Sequence, residues 1–103
     1  MIVVPTYNMI LAADATLFYP LDQLRRTAGS SGVTVGEKVT LIVAKENKNL
    51  SELEEDDFYP IGVTGVISEI NQQGYVTIRT NYRVNIEDVR IYPDHSIRLM
   101  TSR

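Results

Sequence analysis

Ile61-Gly62-Val63-Thr64-Gly65-Val66-Ile67-Ser68-Glu69-Ile70, then Asn71-Gln72-Gln73-Gly74, then Tyr75-Val76-Thr77-Ile78-Arg79-Thr80 is the stretch that decides the fold class. Two runs rich in β-branched residues flank four residues of turn chemistry, which predicts a β-hairpin. In the first run the apolar positions are Ile61 and Val63, then Val66 and Ile70, so the alternation slips across Gly65. A bulge with positive φ at Gly65 is the expected cause. Toward the C-terminus, Tyr82, Val84 and Ile86 share a face, and the phase changes again at Glu87-Asp88 before Val89 and Ile91. Two phase changes predict bent strands that curl into a barrel. Toward the N-terminus, Val39-Thr40-Leu41-Ile42-Val43-Ala44 is apolar at nearly every position, as suits a central strand covered on both faces.

Helix is scarce. Residues 21–28 put Leu21, Leu24 and Ala28 on one face, with Asp22 as the expected cap and Gly29 as the stop. Gly29-Ser30-Ser31-Gly32 reads as a flexible surface loop. Residues 46–57 (ENKNLSELEEDD) hold six of the thirteen acids and one lysine, so they read as a second, solvated loop. Ser51 and Glu54 have capping-box spacing, but no apolar stripe follows, so one helical turn is the most this loop should contain. The fold class is therefore mainly β (α+β), a pseudobarrel of about six strands with one short helix.

The 103 residues, 44% hydrophobic and 22% charged, suit one domain spanning residues 1–103. A chain of this size buries roughly two thirds of its surface and folds without a disulfide or structural metal. It has no cysteine, which removes thiolate zinc sites and thiol nucleophiles; with no apolar leader, this predicts a reducing, cytoplasmic setting. Its apolar runs are too short to cross a bilayer as a helix, so no membrane partner is expected. The last residues, Ile97 to Arg103, end without a Gly or Pro terminator, so a fragment of a longer chain is expected.

Reactive groups are few. The single histidine, His95, lies in the turn-like Tyr92-Pro93-Asp94-His95-Ser96 and reads as a solvated surface residue. Gly32 to Gly36 has three intervening residues where a phosphate loop has four, and Glu37 would oppose a phosphate. The acids at 52, 54, 55, 56 and 57 lack the ligand spacing and glycine of a calcium loop. Asn49-Leu50-Ser51 matches a glycosylation sequon, with no signal peptide to bring it to the modifying enzyme. No catalytic, cofactor-binding or metal site is expected in this segment. The aromatics remain: Phe18-Tyr19-Pro20 and Phe58-Tyr59-Pro60 are two aromatic–proline corners at strand ends. Either all four aromatics close the barrel ends, or Phe18, Tyr19, Phe58 and Tyr59 together form a shallow apolar cleft for substrate.

Several blocks resemble the N-terminal domain of Lon-type ATP-dependent proteases, which has a PUA-like β fold. They are Ile2-Val3-Val4-Pro5 with Asn8-Met9-Ile10-Leu11, Leu17-Phe18-Tyr19-Pro20, and Lys38 to Lys45. Asp57-Phe58-Tyr59-Pro60-Ile61-Gly62, where an acidic loop enters a Tyr-x-x-Gly strand, is the most specific; Gly74 to Thr80 with Arg83-Val84-Asn85-Ile86 completes the set. Ala12-Ala13-Asp14 stands where the family has a Phe-Pro-Gly turn, the first helix is short, and residues 29–36 form an unusual Gly-Ser-rich insertion. The resemblance implies a non-catalytic domain of a hexameric serine protease that recognises unfolded or damaged polypeptides and helps order the assembly. ATP and Mg would belong to the ATPase module, absent from these residues. The alternatives are a PUA-like nucleic-acid-binding module and a stand-alone interaction scaffold. A net charge of −3 speaks against nucleic acid, although folding could gather Arg79, Arg83 and Arg90 on one face.

Overall fold

A computed structural model describes residues 1–28 and 32–103. The expected hairpin forms between β4 (Phe58–Ile70) and β5 (Tyr75–Ile91), the two longest strands. Its turn is held by Asn71, whose Oδ1 accepts the Gln73 and Tyr75 amides at 3.0 and 3.1 Å, while Gly74 takes the positive φ (95°). Around the hairpin lie β1 (Ile2–Tyr7), β2 (Thr16–Pro20), β3 (Lys38–Ala44) and β6 (Ile97–Ser102). They make one six-stranded sheet ordered β1-β3-β4-β5-β2, with β6 also paired to β5. Only β1 and β3 run parallel.

Inside this order β3 is paired on both edges, and two cores cover its two faces, as its nearly unbroken apolar run predicts. Val39 and Leu41 join a core with Ile2, Val4, Tyr19, Ile67, Val76 and Ile78, and Ile42 and Ala44 join another with Val3, Leu53 and Phe58. The first core is sealed by α1 (Leu21–Ala28), which packs against both β1 and β2, the strands that end the sheet and do not pair with each other. Leu21 and Leu24 are buried there with Ala28 beside them. Asp22 lies inside the helix rather than capping it; the preceding residue is Pro20, and the Leu21 amide donates to Gly74 O at 2.9 Å. The expected stop at Gly29, with Ser30 and Ser31, lies outside the described residues.

The bends arise from register shifts, one of them away from its predicted place. Glu87 is an extra residue between Ile86, opposite Thr101, and Asp88, opposite Met100, so the second phase change is where the pattern put it. The first is only in part at Gly65, because β4 itself gains no residue there. Val63, Gly65 and Ile67 are all buried, Val66 is only half-buried, and Ser68 is the extra residue on β4 between Ile67 and Glu69. Near Gly65 the surplus residue is on β5, between Thr80 and Arg83. Gly65 does not have positive φ; a Cβ there would lie 2.8 Å from the Arg79 carbonyl oxygen and 3.1 Å from Ile78 Cγ2. It is glycine because two strands approach closely, and the sequence cannot distinguish that need from a turn's.

Residues 46–57 are also more structured than a solvated loop. Two 3-10 turns, Leu50–Glu52 and Glu55–Asp57, bring Leu53 and Leu50 onto the second core, where Ile86, Val89, Ile91, Ile97 and Leu99 also pack. The capping bonds flank the expected Ser51 and Glu54 pairing: Asn49 N donates to Glu52 Oε1 at 3.4 Å, two residues earlier, and Glu54 N to Asp57 Oδ2 at 2.7 Å, three residues later. All the acids but Asp57 therefore face water, while two leucines anchor the segment.

Candidate functional site

Where the sheet ends fail to meet, a groove of about 420 Å³ opens along the seam. One wall is the end of β1 with Pro5, Tyr7 and then Met9; the other is Phe18, Tyr19 and Pro20 of β2 with Gln23 and Arg26 of α1. The third side is Ala44 and the anchored segment through Lys48, Leu50 and Leu53. Phe18 is 67% exposed and Tyr7 49%, while Ile10, next to Met9 in the β1–β2 connection, is 94% exposed. Large apolar side chains thus remain in water on and beside the groove. Tyr19 is 8% exposed, its ring in the first core and its hydroxyl donating to Pro5 O across the seam at 3.4 Å. Burial pushes its phenol above the ordinary range.

The two aromatic–proline corners do not converge. Phe18 and Tyr19 line the groove, but Phe58 is buried in the second core at 6% exposure, and Tyr59, 50% exposed, lies off the groove beneath Lys45, whose Nζ is 5.9 Å from its ring centre. The separation follows from register: Phe58 pairs with Ala44, and Tyr19 pairs with Val76 at the other end of the sheet. Tyr7, a strand-end aromatic that the sequence also offers as a groove residue, does line the groove, whereas Met9 was not singled out, since a loop methionine carries no distinguishing pattern.

The third wall is pinned by charge. Lys48 Nζ lies 3.1 Å from Asp57 Oδ1 and 3.9 Å from Glu46, and Asp57 O accepts the Lys45 amide at 2.7 Å. The Glu54 amide and then Lys48 hold the Asp57 carboxyl below its usual range, and Asp57 in turn raises Lys48. Among the described residues no group of three or more His, Cys, Asp or Glu could hold a metal. His95 is exposed in a tight turn with φ 68°. The arginines are not gathered: pairing places Arg79 opposite Val66, whereas Arg83, opposite Val63, and Arg90 are on the other face of β5, and Arg90 is occupied by Asp88 at 3.2 Å.

Among the described residues no helix is long and apolar enough to cross a membrane. No protein-family profile and no curated protein matches the chain. Solved structures do. The N-terminal domain of a Mycobacterium avium complex Lon protease superposes with a TM-score of 0.60 at 13% identity over 99% of this chain and 53% of that one. A Lon N-terminal domain protein from Xanthomonas campestris superposes with a TM-score of 0.56 at 12% identity, over 100% of this chain and 59% of that one. The chain spans little more than half the length of either match. The six-stranded sheet with its one short helix is therefore a fold shared with the N-terminal domains of Lon proteases.

Proposed function

We propose that this chain is a recognition and assembly domain of a Lon-type ATP-dependent protease, and that the seam groove holds apolar segments of unfolded or damaged polypeptides. The observation that carries this reading is the exposure of Phe18 and Tyr7 on one concave surface, continued by Met9 and Ile10, where burial in a partner would recover their apolar area. Methionine suits such a surface because its unbranched, polarisable side chain adapts to different partners. Peptide hydrolysis and ATP hydrolysis are assigned to other modules of the parent protease, with ATP and Mg bound there. Purified chain is expected to cleave no casein and hydrolyse no ATP above background.

The decisive experiment titrates a fluorescein-labelled, permanently unfolded protein with this chain and follows anisotropy. Phe18→Ser should weaken binding by about 1 to 2 kcal/mol, as loss of an aromatic anchor does, while leaving the urea midpoint unchanged because the ring is mostly in water. Tyr59→Ser, off the groove, should bind as the parent does. Equal binding by Phe18→Ser, or selective loss in Tyr59→Ser, would refute the assignment.

A further inference from the structure

Resting on that reading of the groove, we propose that it grips its polypeptide through side chains and not by strand addition, and that the preferred segment is apolar with a carboxylate to meet Arg26. Two unpaired strand edges flanking a groove would ordinarily invite an extended peptide to add as a strand. Here both edges are blunted. Strand residues direct their amide and carbonyl alternately to one neighbour and the other. Because Pro5 O accepts from Tyr19 across the seam, Pro5 and Tyr7 are the β1 positions facing the groove. Pro5 has no N–H, its carbonyl already accepts one hydrogen bond from Tyr19, and Asn8, with φ 54°, turns the chain away immediately after Tyr7.

On β2, Thr80 N donates to Ala15 O at 2.8 Å and Leu21 N to Gly74 O at 2.9 Å, so the odd-numbered residues bond to β5. That leaves Phe18 and Pro20 facing the groove, and Pro20 again has no N–H. Each edge therefore offers a single amide donor at the groove, where a ladder needs one at every second residue. A peptide added as a strand would bury carbonyls without partners, so contact falls to Tyr7, Met9, Phe18 and Leu50. Charge narrows the occupant further. Of the two groove cations, Lys48 is held by Asp57 and Glu46, whereas Arg26 has no carboxylate or side-chain hydrogen bond among the described residues.

The test uses fluorescein-labelled decapeptides of Leu, Phe and Ala carrying one Asp, followed by anisotropy. Versions N-methylated at alternate amides, in both registers, remove the peptide's donors to a strand edge. They should bind within about threefold of the unmethylated peptide, whereas loss of two or three ladder bonds would exceed about tenfold. Asp→Asn in the peptide should weaken binding about threefold to the parent chain and not at all to Arg26→Gln. A tenfold loss in either methylated register overturns side-chain recognition, and equal binding of the Asp and Asn peptides overturns the role of Arg26. Failure of the parent chain to bind any of these peptides, or equal binding by Phe18→Ser, instead overturns the groove as a polypeptide site and takes this inference with it.

Discussion

Replacing Gly65 by alanine tests whether a single glycine is required for space or for backbone conformation. Its φ is not positive, so alanine gains the usual unfolded-state advantage of about 0.4 to 1 kcal/mol over glycine. Against this, the new methyl carbon would lie 2.8 Å from the Arg79 carbonyl oxygen, 3.1 Å from Ile78 Cγ2 and 3.3 Å from Thr80 Cα. The closest of these atoms is backbone in the paired strand and cannot rotate aside, so β4 and β5 must separate locally. Overpacking costs about 1 to 3 kcal/mol, and a backbone atom as the nearest neighbour places this site in the upper half of that range, about 2 to 3, which leaves a net loss of about 1 to 2.5 kcal/mol. In a domain of this size that lowers Tm by about 5 to 10 °C and moves the urea midpoint down by about 1 M. Circular dichroism melts and urea titrations read both. Asparagine separates the two causes, since it tolerates positive φ better than alanine but is bulkier. At Gly65, Asn should be at least as damaging as Ala; at Gly74, with φ 95° and open space around a Cβ, Asn should be the milder change. A neutral or stabilising Gly65→Ala, or an Asn variant clearly better than Ala at position 65, would refute close strand approach as the reason for glycine.

Other expectations concern the anchored segment and the strand edges. Leu53→Ala should cost about 2 to 3 kcal/mol in urea unfolding, because the side chain is buried in the second core; a solvated loop would show almost none. The Asp57 carboxyl is depressed in the folded state, so its stabilisation is present above the ordinary carboxylate range and is lost as pH falls through the lower folded value. The urea midpoint should therefore decline on acidification, and Asp57→Asn should flatten that part of the profile. Pro5→Val supplies the missing edge donor, so light scattering should detect more self-association than in the parent chain, and equal scattering would show that the proline does not guard this edge.

How much could be read without coordinates depends on the range of the interaction involved. The hairpin at Asn71 to Gly74, the helix over residues 21–28, the two-sided burial of β3 and the bend at Glu87 were all legible, because turn chemistry and apolar period act between neighbours in the chain. Beside Gly65 the pairing does shift, but through a surplus residue on β5, and the extra residue on β4 is Ser68, three positions further on. Val66 and Ile67 are equally apolar, and only pairing with Ile78 across the hairpin selects Ile67 for the core. Residues 46–57 looked solvated because their acids outnumber their leucines, yet Leu50 and Leu53 reach a core assembled mostly from residues on β1, β3, β5 and β6. The four aromatics have the same local context twice over, aromatic-aromatic-proline at a strand end, and the sheet treats them oppositely: Tyr19 and Phe58 go into separate cores while Phe18 and Tyr59 stay in water. Local pattern determined which segments are strands and where the hairpin turns. The groove was decided only by tertiary structure, because it exists where β1 and β2 fail to pair, and strand order is set by long-range contacts whose energies no short window of sequence contains.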